Sequence, residues 1–168
     1  MKLYEHTTAG TFLSRPNRFI AHVTLSGAEE IVHVKNTGRC RELLVPGASV
    51  ILSRAANPDR KTRYDLVAVR KGGTLINMDA QAPNAAAAEL LRILYPEDTL
   101  RAEVTWGHSR FDFCLEREGR RRFVEVKGVT LEREGLALFP DAPRSGARNT
   151  CGSWPGQNGR GWTAPFCS

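Results

Sequence analysis

Short runs of β-branched and aromatic residues, separated by turn formers, fill the first seventy positions of the chain. Residues 19–25 (FIAHVTL), 31–34 (IVHV), 49–52 (SVIL) and 64–69 (YDLVAV) each have the length and composition of a strand. Ser26-Gly27, Pro46-Gly47, Asn57-Pro58-Asp59 and Gly72-Gly73 punctuate them. Several short strands at this spacing predict a small barrel or sandwich, an architecture that binds nucleic acid on one face and its rim loops. The pattern then changes. Ala82-Pro83-Asn84 opens a run of strong helix formers through Leu94, with the proline at or just before the first turn, and Tyr95-Pro96 ends it. Three further strands are expected at 100–106, 110–116 and 122–131, with turns at Gly107-His108-Ser109 and Glu118-Gly119-Arg120.

A helix followed by three strands begins an α/β unit, which needs another helix and strand to cover its sheet. That completion is not legible in the last residues. After Leu138 there is no Leu, Ile, Val or Met, and residues 144–168 hold five glycines, two prolines and isolated Trp154, Trp162 and Phe166 with no period of two or 3.6. Taken two nucleotides out of phase, with third codon bases free to vary, the tail can encode a charged helix with leucines three apart and then a strand. A frameshift is therefore expected, and sequencing the source DNA tests it.

Composition changes this picture little. A content of 41% hydrophobic and 25% charged residues suits a folded chain. No stretch approaches the roughly 20 apolar residues of a membrane span, and the first residues lack the apolar core of a secretory signal, so a cytoplasmic location is expected. Cys40, Cys114, Cys151 and Cys167 form no C-x-x-C pair and are expected as free thiols rather than zinc ligands. The distribution of charge says more. Residues 1–71 carry twelve Lys/Arg against six Asp/Glu, residues 72–143 nine against twelve, and residues 144–168 three against none. A basic module precedes an acidic one, a layout that suits a nucleic-acid binder joined to a metal-dependent site.

The acidic part contains the candidate chemistry. Asp112, in Phe111-Asp112-Phe113, lies thirteen residues before the glutamate of Val124-Glu125-Val126-Lys127. On a strand Glu125 and Lys127 would share a face, and Asp112 on the neighbouring strand would lie opposite them. Two adjacent carboxylates are costly unless a cation neutralises them, and oxygen ligands favour Mg2+ or Mn2+ over zinc. Such a metal would polarise a phosphate and lower the pKa of a bound water, with Lys127 orienting the water or neutralising developing charge. Glu103, one strand earlier, would add a ligand through water. The same spacing also reads as a surface salt bridge of Glu125 with Lys127 or Arg110. His108, in the neighbouring turn, is a further catalytic candidate with nothing else to support it.

The basic part supplies Arg15, Asn17 and Arg18, then Lys35, Asn36, Arg39 and Arg41, then Arg60 and Lys61. Arginine and lysine contact phosphates, asparagine adds neutral donors, and Gly38 permits close backbone approach. Phe19 or Tyr64 would stack a base, although the position of Phe19 in a strand makes it a core residue by expectation. His22 and His33 are expected as barrel residues.

In this order, Arg15 to Phe19, VHVKNTGRCRELLVPG (32–47), RKTRYDL (60–66), Ala82-Pro83-Asn84, GHSRFDF (107–113) and FVEVKGVTLEREGLALFPDAP (123–143) resemble the sugar fermentation stimulation protein A family. The resemblance implies an α+β two-domain fold. Residues 1–80 would form an OB-like barrel, 81–143 an incomplete α/β domain similar to PD-(D/E)xK nucleases, and 144–168 a non-native or disordered tail. It also implies DNA binding without sequence preference and a regulatory role in sugar (maltose) metabolism. Asp112, Glu125 and Lys127 match the nuclease-like motif. The family would continue after Pro143 with a helix resembling G-T-K-H-L-R-E-L, a string the shifted frame contains. A nuclease with impaired catalysis and a sequence-selective transcriptional regulator are the alternative functions, and residues 1–143 show no helix-turn-helix pattern to support the second.

Overall fold

Eight residues, Thr7–Ser14, form the first strand (β1) of a computed structural model that describes residues 2–133 and 135–138. The pattern above misses this strand because threonines and Gly10 leave it few large apolar residues. Its place explains the glycine: a Cβ at Gly10 would meet the backbone oxygen of Thr24 at 3.0 Å. Ile20–Leu25 (β2), Ala28–Val34 (β3), Ser49–Arg54 (β4) and Tyr64–Lys71 (β5) follow. β1 pairs antiparallel with both β2 and β4, β2 with β3, and β4 with β5. Two parallel pairs, His33↔Asp65 and Val34↔Leu66, join β3 to β5 and close a five-strand barrel. Thr74–Asn77 (β6) extends β5 outward.

Alternation builds the core. Ala21 and Val23, Val32 and Val34, and Val50 and Leu52 point inward from three strands and are fully buried with Phe12, Leu66 and Val69. Leu43 and Leu44, in the turn between β3 and β4, and Met78, just after β6, join the same cluster. Fully burying one such side chain stabilises the fold by about 1.5–3 kcal/mol.

The second unit begins with Ala82–Leu94 (α1), which has proline in its first turn as expected. Thr99–Trp106 (β7), Ser109–Arg117 (β8) and Arg120–Val124 (β9) form an antiparallel three-stranded sheet. Leu91 of the helix packs on Phe113 and Leu115, with Ala87, Ala88, Tyr95, Leu100, Val124 and Val126 around them. Glu132–Arg133 (β10) and Leu136–Ala137 (β11) pair with each other, and Lys71 holds β10 to the barrel by donating to the Glu132 carbonyl at 2.6 Å and to its carboxylate at 3.0 Å.

One expectation is corrected here. The last strand does not run to residue 131 but ends at Val124, so strand alternation does not orient Glu125 and Lys127. The backbone N–H of Val126 donates instead to a carboxylate oxygen of Asp112 at 2.7 Å. A side chain has taken the place of a strand partner. The expected tail, with Cys151 and Cys167, lies outside the described residues.

Candidate metal centre and basic rim

Asp112 sits mid-strand in β8, in a locally irregular stretch. Ala102↔Phe113 and Val104↔Phe111 are paired across β7 and β8, leaving Glu103 and Asp112 between them, and Glu103 adopts a left-handed φ of 55°. Asp112 receives two hydrogen bonds, from Val126 N–H at 2.7 Å and from the Asn84 amide on the first turn of α1 at 3.0 Å. The Val126 N–H, above all, holds the Asp112 carboxyl below the usual carboxylate range against partial burial, with smaller contributions from Asn84, Lys127 and Glu125. Asp112 therefore stays ionised beside a second carboxylate. Glu125 and Lys127 are both half-exposed and pair with each other, so the salt bridge that their spacing permits is present alongside the carboxylate pair.

This arrangement fits a hard divalent cation in a limited way. Each carboxylate oxygen of Asp112 accepts one hydrogen bond and has a second acceptor position left. Asp112 and Glu125 supply oxygen donors only, the chemistry of Mg2+, Mn2+ or Ca2+. Among the described residues no group of three or more His, Cys, Asp or Glu side chains is disposed to hold a metal ion, so the remaining coordination would fall to water or a phosphate. The Glu103 carboxylate pairs with Arg110 at 2.8 Å, and both side chains are exposed. His108 lies exposed in the β7–β8 turn. Asn84, which the sequence reading used only as a helix-opening residue, proves to be the side chain that ties the helix to Asp112. A lone amide in the first turn of an alanine-rich helix was the available signal.

The nine basic and amide residues of the barrel divide into two groups. Five are committed within the fold. Arg15 donates to four backbone carbonyls, those of Arg18 and Asn36 at 2.6 Å, Gly38 at 2.8 Å and Arg39 at 3.0 Å. It thereby fastens the β1–β2 loop to the β3–β4 loop. Asn17 accepts from the N–H groups of Phe19 and Ile20, and Asn36 from Gly38. Lys35 and Arg60 enter a buried ionic cluster. Asp65, 6% exposed, accepts from Arg60 at 2.8 and 3.2 Å and lies 3.1 Å from His33 and 3.4 Å from Lys35. Lys35 also reaches Asp79 at 3.3 Å, linking β5 to the segment that leads into α1. Burial alone would lower the Lys35 pKa, but the two carboxylates outweigh it and raise the value.

The other four, Arg18, Arg39, Arg41 and Lys61, are exposed and enter no ion pair among the described residues. Phe19 corrects the sequence reading: it is 54% exposed rather than core. Tyr64 is half-buried against the barrel core, and the exposed carboxylate of Glu29 pairs with His22. Cys40 and Cys114 are buried thiols. No described helix is long and apolar enough to cross a membrane.

Comparison with known proteins places both units. Residues 13–78 match the family model described as the SfsA N-terminal OB domain, and residues 81–149 match the sugar fermentation stimulation protein RE domain. A sugar fermentation stimulation protein homolog of Desulfitobacterium hafniense (strain Y51) is 59% identical over 142 residues, 83% of this chain and 62% of the relative. The homolog of Alkaliphilus oremlandii is 53% identical over 150 residues, 83% of this chain and 64% of the relative. The chain thus spans less than two thirds of the length of these relatives. The solved structure of Pyrococcus furiosus SfsA in complex with Ca2+ matches with a TM-score of 0.70 at 31% identity, covering 86% of this chain and 64% of that one. The barrel is an OB domain, and the chain belongs to the sugar fermentation stimulation protein (SfsA) family.

Proposed function

We propose that this protein binds DNA through its barrel without reading sequence, and that its second unit is a PD-(D/E)xK nuclease-like domain with a divalent-cation site. The observation that carries the binding reading is the set of exposed arginines, Arg18, Arg39 and Arg41, on two loops fastened together by Arg15. Side chains without acidic partners are available to phosphates, and contacts to phosphate carry no sequence information. The test is DNA binding by the full chain as salt is raised. Affinity should fall steeply between about 50 and 200 mM salt, and replacing both Arg39 and Arg41 with Ala should flatten the log–log slope by about 1.8 on duplex. Salt-insensitive binding, or none, refutes this reading.

A second reading is metal-dependent phosphodiester hydrolysis, favoured by Asp112 and Glu125 standing together beside Lys127. The solved Pyrococcus furiosus relative is in complex with Ca2+, which supports a divalent-cation site in this chain as well. Asp112 and Glu125 would hold Mg2+ or Mn2+, which supplies Lewis acidity toward a phosphate. Lys127 contributes positive charge, and Asn84 and Val126 N–H orient the Asp112 carboxylate. Cleavage of a labelled oligonucleotide in Mn2+ that disappears in Asp112→Asn supports an enzyme; cleavage unchanged in that variant refutes this site. The relatives' names connect the family with sugar fermentation. A role in regulating sugar metabolism would be the physiological side of the same proposal.

A further inference from the structure

A large apolar ring on the surface invites the question of what covers it, and the two most exposed aromatic rings among the described residues differ in kind. Trp106 is 55% exposed, but its ring already carries the Arg121 guanidinium at 4.9 Å and the Phe123 ring at 5.8 Å. Phe19 is 54% exposed and has no ring or cation partner among the described residues. Its backbone, by contrast, is firmly held. The Phe19 N–H donates to Asn17 Oδ1 at 2.9 Å and its carbonyl accepts from Val34 N–H at 2.7 Å. Arg18 beside it presents a free guanidinium, while its carbonyl is one of the four gathered by Arg15. The same Arg15 fixes the loop that carries Arg39 and Arg41.

The geometry points to Phe19 as a base-stacking platform for single-stranded nucleic acid, with Arg18, Arg39 and Arg41 on the backbone phosphates and Arg15 as the residue that positions them. This inference rests on the nucleic-acid-binding reading above and narrows it to a strandedness. Charge complementarity selects a polyanion, and the unpaired ring selects one with exposed base faces, which a duplex conceals within its stack. A stacking ring is sequence-tolerant, because every base has a π-face. Preorganisation follows from Arg15: four carbonyls on one guanidinium leave the two loops little freedom to lose on binding.

The experiment measures binding of the full chain to a fluorescent oligothymidylate and to a duplex of the same length. The single strand should bind more tightly. Phe19→Ala should weaken it by about 5- to 150-fold with an unchanged salt slope, whereas Arg39→Ala should reduce that slope by about 0.7. Phe19→Trp should retain binding, and the fluorescence gained with that tryptophan should be quenched by the oligonucleotide. Quenching reports contact with the base, which a structural role for Phe19 would not produce. Equal binding of both forms with Phe19→Ala indistinguishable from the parent chain overturns this inference and leaves general DNA binding standing. Absence of binding to either form overturns both.

Discussion

Replacing Asp65 with asparagine removes one negative charge from the most enclosed ionic cluster among the described residues while keeping the side chain's size. The Asp65 side chain is 8% exposed, and its partners Arg60, Lys35 and His33 are 32, 27 and 31% exposed. Breaking a fully buried ion pair costs about 3–5 kcal/mol, because a charge is left without compensation. Here the loss is smaller for identifiable reasons. Lys35 keeps Asp79 at 3.3 Å, Arg60 keeps the Thr62 hydroxyl at 3.1 Å, and each reaches water. Against that, the new amide would turn an N–H2 toward groups that are themselves donors. About 2 kcal/mol is the resulting expectation, or a fall in Tm of roughly 8–16 °C for a unit of this size. Urea titration at pH 7, followed by circular dichroism, measures it.

The pH dependence sharpens the test. Burial raises the Asp65 pKa, but Arg60 foremost, with Lys35 and His33, outweighs burial and holds the carboxyl below its ordinary value. A depressed folded pKa means the stabilisation is complete above the unfolded value, about 3.9, and is lost as pH falls through the folded one. The difference between parent and variant should therefore shrink once the solution is acidified below about pH 4. A difference under about 1 kcal/mol at pH 7, or one that does not shrink below about pH 4, refutes the reasoning.

Two substitutions probe the second unit. Gly128→Ala would place a Cβ 2.8 Å from Cγ of Pro83, a ring on the first turn of α1 that cannot swing aside, and should cost about 1–3 kcal/mol in thermal unfolding; an unchanged Tm would show that α1 and residue 128 are not packed as described. Leu115→Ala empties a position that is 1% exposed beneath Leu91, at about 2–5 kcal/mol, whereas Leu90→Ala, on the exposed side of the same helix, should stay within about 0.5 kcal/mol; comparable losses from the two would place the packing face elsewhere.

Four barrel strands, the helix and the first two strands of the sheet were legible because their cause is local: a period of two, a run of helix formers, a glycine at a turn. What escaped depends on partners far along the chain. Val124-Glu125-Val126-Lys127 alternates like a strand, yet Val126 bonds to a side chain fourteen residues earlier, and no periodicity encodes that acceptor. Phe19 follows the inward alternation of Ala21 and Val23, but Asn17 caps a turn at that point and β2 begins one residue later, so the ring stays outside. Lys35 and Arg60 looked like phosphate contacts because the sequence does not show Asp65 and Asp79 closing on them. The acidic pair was legible as residues, and the amide from Asn84 that orients it was not.

The barrel's closure rests on a narrow seam. Two residue pairs join β3 to β5, where the antiparallel contacts β2–β3 and β4–β5 have six and five. Strands in a closed barrel have no free edge, which is how such folds avoid pairing with other chains. In this one that protection is concentrated at His33↔Asp65 and Val34↔Leu66, residues 32 positions apart that can meet only after the intervening chain is organised. During folding the seam should therefore be among the later contacts to form. Until it does, the end of β3 carries an open edge at His33 and Val34, so the interval before closure is when this protein is most exposed to aggregation.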